Sequence, residues 1–242
     1  MACLALAWSA PNAARAEGPA VNVSAEINSA YIYHGFTYND GFVFQPSLDV
    51  SAAWYGLNVW ANMDIRDYGG LLQKGEFSEV DLSPYVFWNV GGWKLSLSYS
   101  EYLYPHLATT NGAVPGNRDI IVSIKRSITK GLTAEVKLQY EIDEIGDYYA
   151  RLALDYAFKP AENLELGLFG SVGYVGDDIA TLAYGGVKGG FNEYNIKTSV
   201  AYTIRKGLTL KANLGYTDAL DKDVLPYTDV NTYGGISLST DL

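Results

Sequence analysis

Between Leu132 and Asp143 every second residue can carry charge or hydrogen-bond: Thr133, Glu135, Lys137, Gln139, Glu141 and Asp143. The residues between them are Leu132, Ala134, Val136, Leu138, Tyr140 and Ile142. An extended chain sends successive side chains to opposite faces, so one face here is polar with both charge signs and the other is apolar. The same polar phase recurs along the chain. It collects the acids Glu26, Asp49, Asp64, Glu79, Asp81, Glu135, Glu141, Asp155 and Glu165. It also collects the bases Arg66, Lys94, Lys125, Lys137, Arg151, Lys197 and Lys211. Two chemistries suit such a surface. One is a water-filled, weakly cation-preferring passage, lined by Glu26, Asp49, Asp64, Arg66, Glu79, Asp81, Glu135, Lys137, Arg151 and Lys197. The other is an interior closed by cross-strand ion pairs, each group needing a partner once it leaves water.

Other chemistries find less support. His34 and His106 are the two histidines, and both fall in expected loops. Neither is followed two residues later by a serine, the spacing that would set both on one strand face for nucleophilic catalysis. No catalytic residue is assigned and an enzyme is not expected. The acids Asp177, Asp178, Asp218, Asp221, Asp223 and Asp229 make acidic loops that could hold divalent cations, but such runs are more often a solvated face, so no metal site is assigned. Cys3 is the sole cysteine and lies in an expected targeting segment, leaving no disulfide or thiolate site. No cofactor is expected. A net charge of −10 disfavours nucleic acid, whose phosphates need a basic surface.

The elements that position the polar face are strands. Of 242 residues, 14% are aromatic, 20 of them tyrosine, and no apolar run reaches the roughly 18 residues of a spanning helix. Segments of about ten alternating residues separated by turns are the signature of a closed antiparallel transmembrane β-barrel, an all-β fold. Twelve strands are expected, at 21–33, 42–55, 57–67, 77–90, 93–104, 119–128, 132–143, 148–158, 164–175, 194–204, 208–217 and 233–242. The connections alternate in length. Tyr55-Gly56, Gly91-Gly92, Thr129–Gly131, Lys159–Asn163 and Arg205–Gly207 are short. His34–Gly41, Tyr68–Glu76, Pro105–Arg118, Glu144–Asp147, Gly176–Glu193 and Asp218–Thr232 are the long set. Short periplasmic turns and long outer loops give this order. Pro105–Arg118 and Gly176–Glu193 are long enough to fold inward. Residues 179–187 are read as loop, because their glycines weaken a ladder and a thirteenth strand would make the count odd.

Aromatics fall at two heights on the apolar face. Tyr31, Tyr33, Phe42, Phe44, Tyr140, Tyr148, Tyr174 and Tyr216 mark one rim, and Trp54, Trp88, Trp93, Tyr156 and Phe158 the other, as in two interfacial girdles. Ser123–Thr133 and Ser199–Thr209 share the ending Lys-Gly-Leu-Thr, either as a repeated hairpin or as shared turn chemistry. Residues 1–16 read as a partial secretory signal with Ala14-Arg15-Ala16 as a cleavage site, leaving 17–242 as one barrel domain.

Residues Ser29–Thr37, SAYIYHGFT, resemble the first-strand motif of a family of exported bacterial outer-membrane, porin-like proteins labelled TorF. The pattern is Ser-x-Tyr-x-aromatic-Arg-Gly-x-Ser/Thr, continuing with a Pro and an Asp matched here by Pro46 and Asp49. His34 stands at the Arg position. The resemblance covers residues 29–49 and implies an outer-membrane barrel without catalytic residues. The expected role is a porin-like passive channel for small polar solutes in the cell outer membrane. Its expected partners are outer-membrane lipid, those solutes and the barrel assembly machinery, with oligomeric state left open. The alternative is a plugged structural or adhesive barrel presenting acidic outer loops.

Overall fold

The computed structural model describes residues 19–69, 72–109 and 112–242. The expected signal segment 1–16 lies outside them. Twelve strands form one closed antiparallel barrel: β1 (Ala20–Asn28), β2 (Val43–Ala52), β3 (Tyr55–Asp64), β4 (Phe77–Val90), β5 (Trp93–Leu103) and β6 (Asn117–Thr129), followed by β7 (Leu132–Glu141), β8 (Tyr148–Ala161), β9 (Leu164–Val175), β10 (Gly190–Arg205), β11 (Leu208–Ala219) and β12 (Thr232–Asp241). Each strand pairs with its chain neighbours. The seam closes where β1 meets β12, with Asn22 opposite Asp241 and Ile27 opposite Ile236. Closure leaves no exposed sheet edge, which a lipid environment requires because it offers backbone groups no partner.

The faces follow the alternation. Val136, Leu138, Leu152, Leu154, Ile196, Val200 and Leu238 all point outward and are exposed. A continuous apolar belt of this kind belongs against lipid rather than water. Trp54, Trp88, Trp93, Tyr156 and Phe158 are exposed at the turn end, and Phe42, Tyr140, Tyr148, Tyr174 and Tyr216 at the loop end.

The shared Lys-Gly-Leu-Thr ending is turn chemistry. Gly131 and Gly207 have φ of 84° and 78°, a region costly for residues with a Cβ. Each tight turn carries the same register shift, between Ser127 and Thr129 in one hairpin and between Thr203 and Arg205 in the other. The loop Gly176–Glu193 holds no strand before Gly190 and carries a short helix, α1 (Asp177–Leu182).

The first strand departs from expectation. The run read as 21–33 ends at Asn28, and the chain then enters a separate small hairpin with arms Tyr31–Tyr33 and Phe36–Asn39. Its tip is His34-Gly35, at φ of 50° and 78°. Two central residues with positive φ make the turn whose twist suits a two-residue hairpin, and His is among the non-glycine residues that tolerate it. Tyr31 and Tyr33 are therefore not girdle residues. Tyr31 is buried with Val43 and Trp60 in one apolar cluster, and Tyr33 packs against it. A second cluster joins Tyr149, Val175, Ala180, Tyr184, Val224 and Leu225, with Phe36 packed on it. Both clusters sit at the loop end of the barrel.

Candidate functional site: the barrel lumen and the hairpin across it

The small hairpin lies in loop 1, the connection 29–42 between β1 and β2, and crosses the lumen. It leaves β1, and Gln139 on β7, the strand diametrically opposite in the ring, donates a hydrogen bond to the Tyr33 hydroxyl. On the way the Tyr31 hydroxyl donates to Glu79 of β4 at 2.7 Å, and Asn39 donates to Asp64 of β3. At the tip, the His34 imidazole lies between the Tyr33 and Tyr149 rings, with centroids 3.6 and 3.3 Å away. Its Nδ1 is 3.1 Å from the Tyr184 hydroxyl, and its carbonyl accepts from Asn192 at 3.0 Å. A Cβ on Gly35 would meet Glu193 Cβ at 2.7 Å and Leu225 at 2.8 Å, so the tip sits hard against β10 and the loop between β11 and β12. Burial pushes the His34 imidazole well below its ordinary value, and the positive charges of Lys137 and Arg151 push the same way.

The segment after α1 and the start of β10 support this arrangement with Tyr184 and Asn192. Pro105–Arg118 and Gly176–Glu193 are long enough to fold inward, but the segment that crosses the lumen is the shorter loop 1, with Tyr184 of Gly176–Glu193 packed against its tip. The physical reason is its hairpin, which satisfies its own backbone groups while surrounded by protein.

The sequence-derived residues divide by height. Asp64, Glu79 and Asp81 are buried in the outer half, around the hairpin. Asp49 lies in the periplasmic half and accepts from the Tyr85 hydroxyl at 3.0 Å, while Glu26, two residues from the loop end of β1 and opposite Gln45, accepts from Asn213 Nδ2 at 2.7 Å. Glu135 accepts from Ser123 at 2.7 Å and pairs with Arg151 at 2.8 Å and Lys125 at 3.2 Å. Register explains why. Lys125 is directly opposite Lys94, and Lys137 directly opposite Arg151, two like-charge juxtapositions that are unfavourable alone. Glu135 touches one member of each pair. The Arg151 guanidinium lies 5.7 Å from the Phe169 ring and the Lys197 ammonium 5.1 Å from the Tyr233 ring. Arg66 stands apart. It follows the end of β3, its side chain is 55% exposed, and it pairs with Asp40 of loop 1 at the outer surface.

Sequence reasoning placed Gln139 on the polar face but named neither it nor Asp119, Tyr149 or Glu193 as a lining residue. Gln139 donates to both Asp119 and Tyr33, and Tyr149 donates to Glu193 at 2.6 Å. All four sit in phase with the polar face, which was the available signal. The acids of the outer loops are engaged locally. Asp147 accepts from the backbone N–H groups of Asp178 and Ile179, while Asp221 and Asp223 share Lys188 at 2.9 and 3.3 Å.

No protein-family model matches the sequence, and no curated protein matches it. Solved structures match its fold. A KdgM porin superposes with a TM-score of 0.56 at 9% identity, covering 92% of this chain and 99% of that one. The COG4313 outer membrane channel from Pseudomonas putida F1 gives 0.55 at 10% identity, covering 95% and 97%. A NanC porin gives 0.54 at 13% identity, covering 92% and 100%. The chain therefore has the twelve-stranded fold of outer-membrane barrels over its whole described length.

Proposed function

We propose that the protein is a porin-like passive channel of the cell outer membrane for small polar solutes, with an outer mouth gated by the loop-1 hairpin. The observation that carries this reading is the inner wall. It is polar on every strand, and in the periplasmic half its charged groups are only partly buried, as in a lumen open to water. Asp49, Glu135, Lys137 and Lys197 line the wall below the hairpin in this reading, Glu26 and Arg151 stand nearer the hairpin, and Asp64, Glu79 and Asp81 line the mouth. Arg66 acts at the outer rim by holding Asp40 of loop 1.

The likeness to porins and an outer membrane channel supports transport over a purely structural or adhesive barrel. The motif at Ser29–Thr37 supports kinship with the TorF family, since it coincides with the hairpin. The histidines support a role other than catalysis: His34 is stacked between tyrosines, and His106 Nδ1 lies 3.1 Å from the Phe77 carbonyl oxygen.

The test is single-channel recording of the refolded protein in a planar bilayer, beside a variant with residues 31–39 replaced by a short Gly-Ser link. Discrete steps in the native protein, larger and longer-lived in the variant, are expected. A folded variant that passes no current would defeat the channel reading.

A further inference from the structure

On the lipid-facing wall at the turn end of the barrel, Val90, Trp93, Leu95 and Ile124 line an apolar groove of about 370 Å³ across β4, β5 and β6. Arg126 follows Ile124 in the same outward phase and stands at the turn end of the groove. It lies opposite Trp93 in the ladder, and its guanidinium carbon is 4.7 Å from the centre of that ring. Arg126 is exposed and belongs to none of the ion pairs among the described residues. Its neighbours along the chain offer no counter-ion. Residues 84–97, which run from β4 through the tight turn into β5, hold no Asp or Glu, and neither do residues 122–134, which run from β6 into β7. Lys130 in that second turn adds another positive charge.

The matching hairpin shows that this depth does not itself call for a cation. Ser123–Thr133 and Ser199–Thr209 share their turn and its register shift. In the second, the place of Arg126 is taken by Tyr202, which is 46% exposed and paired with Leu210. Those are the amphipathic ring and the aliphatic chain of an ordinary interfacial girdle. In the first, Arg126 is paired with Ala134. The ring has become a guanidinium, and the large aliphatic neighbour a methyl group, on the side of Arg126 away from Trp93. The guanidinium is thus stacked on one side and open on the other.

An unpaired cation at headgroup height, beside an apolar groove, fits an amphiphile with an anionic head and a hydrocarbon tail. A guanidinium meets a phosphate with two parallel N–H donors. The groove is continuous with the apolar belt that faces lipid, so its occupant is a membrane lipid, and the turn end fixes the leaflet as the periplasmic one. Arg126 and Lys130 without a nearby acid give an ammonium nothing to pair with, which favours an anionic headgroup over a zwitterionic one.

We infer that Arg126, Trp93 and the groove beside them form a binding site for an anionic phospholipid of the periplasmic leaflet, with the phosphate on Arg126 and an acyl chain along Val90, Leu95 and Ile124. The site lies outside the lumen and does not depend on the channel reading.

The experiment uses the full-length barrel folded in detergent, titrated separately with phosphatidylglycerol and phosphatidylethanolamine. Native mass spectrometry counts the lipid retained, and tryptophan quenching by phosphatidylglycerol with brominated chains reports where it sits. Arg126→Tyr copies the other hairpin. Arg205→Gln removes a positive charge at the same end of the barrel but outside the groove, and serves as the control. The native protein should retain a first phosphatidylglycerol at least fivefold more tightly than phosphatidylethanolamine. That preference should vanish in Arg126→Tyr and persist in Arg205→Gln, and quenching by the first bound lipid should drop in Trp93→Phe. A native protein without the preference overturns the inference. So does a preference that survives Arg126→Tyr, or one lost equally in Arg205→Gln, which would mean diffuse attraction to the rim. Quenching unchanged in Trp93→Phe places the lipid elsewhere and overturns it as well. An Arg126→Tyr protein that fails to fold is replaced by Arg126→Gln, read in the same way.

Discussion

The two halves of this barrel solve the problem of inward-pointing polar groups differently. In the outer half they are sealed off from water and held by neutral hydrogen bonds: Asn62 with Gln45 and Ser78, Gln139 with Asp119, and Tyr149 with Glu193. Two apolar clusters and a hairpin fill the remaining space. Below the hairpin, no comparable apolar cluster fills the lumen among the described residues. Charged groups there pair across strands, as Glu135 does with Lys125 and Arg151, and stay partly exposed. One half behaves like the interior of a soluble domain and the other like a wetted surface turned inside out. A single alternating strand such as β7 passes through both regimes, so the alternation by itself does not say whether a lumen is full.

Removing the hairpin should erase the contrast and give the largest effect. With residues 31–39 replaced by a short link, Glu79, Asp119 and Gln139 meet water, and single-channel conductance should rise severalfold. Next comes the outward face. Leu138 is 45% exposed on the lipid side, and Leu138→Arg should cost about 2–4 kcal/mol in the unfolding equilibrium measured in lipid. Thr133→Arg, on the inner wall opposite Asp155, should cost little in the same titration. Gln139→Arg no longer serves as that tolerated control, because Gln139 is tied to the hairpin. Equal costs for Leu138→Arg and Thr133→Arg would mean the faces are misassigned.

A smaller effect is expected at Glu135. Glu135→Gln leaves two like-charge pairs without their shared counter-ion. With Glu135 and Arg151 only 14% and 17% exposed, little water screens the loss, which should be about 1–3 kcal/mol, and selectivity should move toward anions in a reversal-potential measurement. The smallest effect should be a pH response. His34 in the packed hairpin resists protonation, and the groups around it are Tyr33, Tyr149, Tyr184, Glu193, Lys137 and Arg151. A withdrawn hairpin takes up a proton near the ordinary histidine value of about 6.5. The closed state is therefore favoured above that value and loses ground as pH falls through it. Open probability should increase on acidification below about pH 6, and His34→Gln should flatten the response.

Most of the barrel was legible because period two is demanding. Twelve alternating runs, short glycine turns such as Gly91-Gly92 and a polar face on each strand leave one architecture. Loop 1 was not legible in the same way. Ile27, Tyr31 and Tyr33 share one alternation phase, so the hairpin arm continues the pattern of β1 as if the strand had not ended. What separates them is burial by β4, β7 and β8, which no local pattern records. His34-Gly35 was the overlooked clue, a two-residue turn between Tyr33 and Phe36. Arg66 shows the same limit, since its phase was right and its height was not. Gln139 and Asp119 had the right phase too, but only the fold shows that they face a hairpin rather than water.

The seam between β1 and β12 sets the order of events during folding. Residues more than 200 apart in sequence, Asn22 and Asp241 among them, become neighbours there. Such a pairing closes a very long loop and is entropically late. The hairpin follows directly from the seam strand. Until β12 arrives, the curved sheet is open along that edge and the hairpin can swing in from the side without threading. Once the seam has zipped, that lateral route is gone, and the hairpin can leave only through the outer mouth. Closing the barrel and trapping its obstruction inside are therefore one kinetic step.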